Sequence, residues 1–196
     1  SILYWCNECK VPLYEQVCGC CGKKGKKFVK DCRIVFPEEK VLLEILLGKE
    51  QGELDNVSVW NGSGNIYYAD GKNMKLKISE LIKQDTENIR ILYNERVQHI
   101  NADFFEQMVK RFITANKKRF DDIDDDAMVQ IKKKVKDYDD REIFVSFSGG
   151  KDSTVVADLV KRAMGRPDIC HIFGDTTLEF LSLIHISEPT RRSYIS

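Results

Sequence analysis

Two groups of residues carry types and spacings suited to chemistry. Cys6-x2-Cys9 and Cys18-x2-Cys21 each place two thiols on one tight turn, close enough to share a metal. Two such turns offer four sulfurs, the donor set of tetrahedral zinc. Gly22 follows the second pair, where the chain must bend around the ion. Cys20 can replace a neighbour as ligand, and the Cys20-Cys21 doublet keeps an iron–sulfur cluster open as an alternative. With all four ligands supplied by protein, a zinc here is structural rather than catalytic. The second group is "SGGKDS", Ser148 to Ser153. Gly149 and Gly150 let backbone approach a phosphate closely, Ser148 and Ser153 offer hydroxyls, and Lys151 adds positive charge. Asp152 would repel a phosphate if turned inward, so it is expected to cap the following helix or orient the loop. The spacing is not that of GxxxxGK[ST].

The elements that must position this loop are legible around it. "EIFVSF" is a short apolar run of strand type, and "STVVADLVKRAMG" has helical spacing. Val155, Val156, Leu159, Val160 and Ala163 are expected on the packed side of that helix, with Gly165 at its exit. "PDICHIFGD" reads as a second buried strand. Strand, loop, helix and strand make a right-handed βαβ unit of a parallel sheet. The loop then lies at the carboxyl end of a strand and the amino end of a helix, where unpaired N–H groups attract anions.

Upstream, "FPEEKVLLEILLG" predicts a helix with Pro37 in its first turn and Gly48 at its end. Residues 54–82 predict strands, with Asp70-Gly71 as a hairpin turn. Helical periodicity returns over 86–138, interrupted by "DDIDDD", which reads as a solvated loop whose aspartates cap the next helix. The lysines of "KKGKKFVK", with Tyr4 and Trp5, raise a nucleic-acid footprint as one reading. The solvated face of a small domain is favoured over it. Cys32 and Cys170 read as buried thiols, and His99 and His171 as packing residues. The expected organisation is 1–36 metal-stapled module, 37–85 helix plus small β-rich module, 86–138 helical connector, 139–180 nucleotide-binding start, and 181–196 tail.

Composition bounds the partners. Lys plus Arg and Asp plus Glu both number 31, so no global basic field draws the chain to nucleic acid or membrane. No apolar run reaches the length of a bilayer span, and "SILYWCNECK" lacks a signal-peptide pattern, so a cytoplasmic protein with no membrane partner is expected.

"SGGKDS" resembles the PP-loop of the adenine-nucleotide α-hydrolase superfamily. Followed by "IFGDTTLEF", it is similar to the phosphoadenosine phosphosulfate (PAPS) reductase family. The paired CxxC turns resemble a zinc ribbon, and "YWCNECKVPL" with "RIVFPEEKVLLEILLG" resembles a microbial, partly archaeal-like branch of that reductase family. The resemblance implies a Rossmann-like α/β parallel-sheet domain preceded by a zinc ribbon and a small β-rich module. It implies that Ser148, Gly149, Gly150, Lys151, Asp152, Ser153, Asp175, Thr176 and Thr177 bind the nucleotide, and that Cys6, Cys9, Cys18 and Cys21 bind zinc. The substrate it implies is PAPS, adenylyl sulfate or ATP, with Mg as a candidate companion and a thiol as candidate electron donor. The family's catalytic cysteine and sulfate-binding basic residues lie downstream of its PP-loop, so no catalytic residue is assigned. Two alternatives stand beside reduction: an ATP-dependent sulfur-transfer or modification enzyme acting on tRNA or DNA, and a non-catalytic nucleic-acid-binding zinc-ribbon protein. Leu181 to Ser196 reads as the translation of a sequencing-library adapter. The chain is accordingly expected to be an inactive N-terminal fragment of a longer enzyme.

Overall fold

The structure, a computed structural model, describes residues 2–76 and 85–173. Among them it is a mixed α/β arrangement of five α-helices and several small sheets. The chain divides into two compact units, residues 1–120 and 121–196.

The first unit opens with three short strands, β1 (Tyr4–Cys6), β2 (Val11–Leu13) and β3 (Lys26–Lys27), in the antiparallel order β2-β1-β3. A second antiparallel sheet runs in sequence order through β4 (Cys32–Ile34), β5 (Val59–Gly62), β6 (Ile66–Ala69) and β7 (Lys72–Asn73). Asp70 and Gly71 both have positive φ, 48° and 78°, the pair that a type I′ hairpin turn demands, and they join β6 to β7.

Between β4 and β5 lies α1 (Pro37–Leu46), with Pro37 in its first turn and Glu38 and Glu39 at its positive end. Gly48, at φ 63°, ends it. The Gly48 amide donates to the Ile45 carbonyl at 3.1 Å and the Lys49 amide to that of Glu44 at 2.8 Å. Two charged residues of α1 are buried and satisfy the irregular segment that follows. Glu44 accepts from the amides of Leu54 at 2.7 Å and Gly52 at 3.1 Å. Lys40 donates to the carbonyls of Leu54, Asp55 and Val57 at 3.0, 3.4 and 2.8 Å.

Three further helices follow: α2 (Thr86–Arg96), α3 (Asp103–Ala115) and α4 (Lys117–Val135). Asp85 caps α2 by accepting from the amides of Glu87 and Asn88. The stretches read separately as ribbon, β module and connector share one core. Trp5, Val11, Leu13, Trp60, Met108 and Ala115 are buried together in it. Rings from three elements meet there, with centroids 5.1 Å apart for Trp5 and Phe28 and 5.0 Å for Trp60 and Phe112. A second cluster, Val35, Leu43, Leu54 and Val59, lies under α1.

"DDIDDD" is not a loop. Residues 121–126 lie inside α4, because a half-buried stripe at 124, 127, 128, 131 and 135 keeps helical spacing straight through the acidic run. Asp124 faces Arg162 at 3.0 Å rather than capping anything.

In the second unit, β8 (Phe144–Phe147) and β9 (Cys170–Phe173) pair in parallel, Phe144 beside Cys170 and Phe147 beside Phe173. The crossover helix α5 (Lys151–Met164) packs on β8 and ends at Gly165, φ 64°. Its packed face matches the expected one at Val160 and Ala163 and departs from it at two valines. Ala157 is buried with Val145 and Ile169, flanked by Val160 and Met164, and Ala163 is buried too, whereas Val155 and Val156 are 57% and 49% exposed. The small Ala157 side chain thus faces Val145 of β8, and the two valines lie off that face. Cys170 is likewise exposed rather than buried. Asp175, Thr176, Thr177 and the tail 181–196 lie outside the described residues.

Candidate metal centre and anion-binding loop

The turn between β1 and β2 carries Cys6 and Cys9, and the turn after an isolated bridge between Val17 and Lys24 begins at Cys18 and carries Cys21. The Sγ atoms of these four cysteines all lie within 4.8 Å of one another. Cys6 and Cys21 stand 3.5 Å apart and Cys9 and Cys18 3.7 Å. Sulfurs held tetrahedrally about 2.3 Å from one zinc are about 3.8 Å apart, so the spacing fits such an ion. Cys20 is exposed and not among the four.

The two turns are built alike. The Lys10 amide donates to the Cys6 carbonyl at 2.9 Å, and the Gly22 amide to the Cys18 carbonyl at 2.8 Å. Both residues have positive φ, 57° at Lys10 and 70° at Gly22. Gly22 was legible from its type, but Lys10 gave no sign of the same role. The Cys9 amide also points at the Cys6 sulfur, 3.4 Å away. Burial pushes the Cys6 and Cys9 thiols above the ordinary range, and neighbouring thiols add to that. The Lys23 amide beside Cys21 pulls that thiol down. An ion pair between Lys23 and Glu8 at 2.6 Å spans the two turns.

The centre is tied into the unit behind it. The Gly19 amide donates to the Ala115 carbonyl at the end of α3, 2.9 Å away, and a Cβ on Gly19 would stand 3.0 Å from that same oxygen. Asn116, buried at the junction of α3 and α4, accepts from the Tyr14 amide at 2.8 Å and donates to the Pro12 carbonyl at 2.9 Å. Trp5 is only 4% exposed and wedged against Phe28, so no base can stack on it. Of the two rings read as a nucleic-acid footprint, that withdraws Trp5, while Tyr4 is half-buried.

In the second unit, Ser148 to Ser153 runs from the end of β8 into α5. Gly149 has φ 73°, a conformation that other residues adopt only with strain. Gly150 is the N-cap with extended backbone and no side-chain cap. The Ser153 hydroxyl donates to the Gly150 carbonyl at 2.9 Å and accepts from the Ser148 amide at 3.3 Å, and the two serine hydroxyls are 3.2 Å apart. Asp152 does not cap the helix. Its exposed carboxylate pairs with the equally exposed Lys151 ammonium at 2.8 Å. The first-turn amides of α5 ahead of Thr154 have no acceptor within the helix, as geometry requires. The loop therefore offers backbone donors, two serine hydroxyls and the exposed Lys151 ammonium, itself paired with Asp152. Cys170 sits beside Phe144, at the far end of the strand pair from this loop, about 10 Å along the strands.

No family model, no curated protein and no solved structure matches this chain.

Proposed function

We propose that the chain is a zinc-stapled nucleotide-binding protein of the PAPS reductase type, gripping the phosphates of an adenine nucleotide or sulfonucleotide with Ser148 to Ser153. The observation that carries the reading is the placement of "SGGKDS". It joins a parallel strand to a helix amino end, with Gly149 left-handed and both serine hydroxyls turned to one another. Cys6, Cys9, Cys18 and Cys21 would hold the zinc, which closes two turns that the short ribbon cannot pack by itself. PAPS, adenylyl sulfate and ATP share the phosphate chemistry this loop suits. Cys170 is at the wrong end of the strands to act as reductant, so these residues bind and orient, and the reducing thiol comes from elsewhere.

Gly150 gives a clean test. A Cβ there would meet only the Ser148 hydroxyl at 3.5 Å, an ordinary contact, and the backbone is extended. Gly150→Ala should fold as the parent does yet place a methyl where a phosphate must approach. Calorimetric titration with ATP, PAPS and adenylyl sulfate should show binding by the parent and at least about tenfold weaker binding by the variant. Equal binding by both would remove the loop from the site. Preference for ATP over both sulfonucleotides would move the reading to an ATP-dependent modification enzyme.

A further inference from the structure

The two turns of the metal centre leave through residues of opposite suitability. Gly22 has no Cβ to oppose a left-handed backbone, but Lys10 does, and it adopts φ 57° all the same. Something must hold it there. The Lys10 carbonyl accepts a hydrogen bond from the Ser58 hydroxyl at 2.5 Å, across 48 positions of sequence. Ser58 precedes β5 and is fully buried. Its hydroxyl accepts from the Trp60 indole at 2.9 Å and rests 3.0 Å from the Met108 sulfur. A hydroxyl has one proton to give, and the carbonyl is the stronger acceptor of the two it faces. The Ser58 backbone is pinned on both sides by Asp70, whose carboxylate accepts from the Ser58 amide at 3.2 Å and whose own amide donates to the Ser58 carbonyl at 2.9 Å. The same carboxylate reaches the Lys10 ammonium at 3.5 Å.

We propose that Ser58 is a positioning residue of the four-cysteine centre: by holding the Lys10 carbonyl it fixes the left-handed exit of the first turn, and so the aim of the Cys6 and Cys9 sulfurs. This rests on the reading of the four cysteines as a metal site. The donor is anchored in the neighbouring sheet, so the sheet, and not the ribbon alone, sets the geometry of half the ligands. Glycine at position 10 would adopt the turn unaided and make Ser58 dispensable to the metal.

The test is a four-way comparison in the full chain, titrated with Co2+ against a competing chelator. The chains are wild type, Ser58→Ala, Lys10→Gly and the double variant. Ser58→Ala should bind Co2+ about tenfold more weakly, with an altered thiolate–cobalt absorption band. Lys10→Gly should bind at least as tightly as wild type. In the Lys10→Gly background, Ser58→Ala should change affinity by less than about twofold. The same loss in both backgrounds would show a general support of the fold and overturn the proposal, as would Ser58→Ala binding like wild type. If Ser58→Ala fails to fold, Lys10→Gly decides alone: binding weaker than wild type overturns the proposal. No Co2+ uptake by wild type would overturn the metal-site reading beneath it, a result distinct from either of those.

Discussion

Cys6 and Cys9 are buried thiols held above their ordinary range, so a cation that takes them as thiolates must displace their protons. Metal affinity should therefore climb as pH rises through neutrality and collapse in mild acid. A pH-independent Co2+ affinity between about pH 6 and 8 would contradict this. Cys9→Ser should abolish binding while Cys20→Ser preserves it, as read by metal content after gel filtration. Equal loss in both would place Cys20 among the ligands. Gly71 offers a second check. Its φ is 78°, and a Cβ on it would fall 2.5 Å from the Trp5 indole nitrogen, deep in the shared core. Gly71→Ala should lower unfolding free energy by about 2–5 kcal/mol in urea titrations, from backbone strain plus overpacking. The CxxC spacing made the four cysteines legible, because metal ligands close in sequence announce themselves by residue type. Lys10 and Ser58 did not. Their contact links distant segments, and a buried serine leaves no periodic trace.

At the scale of elements, α1 shows how a helix that reads as ordinary and amphipathic can carry a buried charge. Burial lowers Lys40 to about 8 from its ordinary 10.5, despite the acidic groups near it. Between those two values the unfolded chain binds more protons than the folded one, so Lys40 makes stability rise with pH over that window. Cys32 opposes it: burial raises that thiol to about 12, and between about 9 and 12 stability falls as pH climbs. The difference between parent and Lys40→Met isolates the lysine. The parent's stability should gain on the variant's between pH 8 and 10, measured by urea unfolding, and parallel curves would remove the lysine's contribution. Hairpin and helix ends were legible because Asp70-Gly71, Gly48 and Gly165 are required by local backbone geometry alone. "DDIDDD" misled because five aspartates in six residues resemble a loop, while the stripe that keeps them helical is spread over Asp124, Ala127, Met128, Ile131 and Val135. The packed face of α5 misled for a related reason. Val155 and Val156 are the more apolar residues, but Ala157 is the one that packs with Val145 of β8.

For the molecule as a whole, two units imply two responses. Stripping metal from the full chain should raise amide exchange over the strands of the ribbon and around Gly19 and Asn116. Exchange over Phe144–Phe147 and Cys170–Phe173 should stay as it was. Loss of protection in both units together would show them to be one cooperative body. Composition alone, balanced at 31 charges of each sign, foretold none of this division, because the partition depends on which apolar faces meet. The Asn116 clamp carries a consequence in time. Cys6 meets Cys21 over 15 positions and Cys9 meets Cys18 over 9, whereas Asn116 reaches Tyr14 over 102. Short closures lose less chain entropy and form sooner. The two cysteine turns can thus meet each other before α3 arrives. By loop length alone, the contacts of this one asparagine are the last of the three to close.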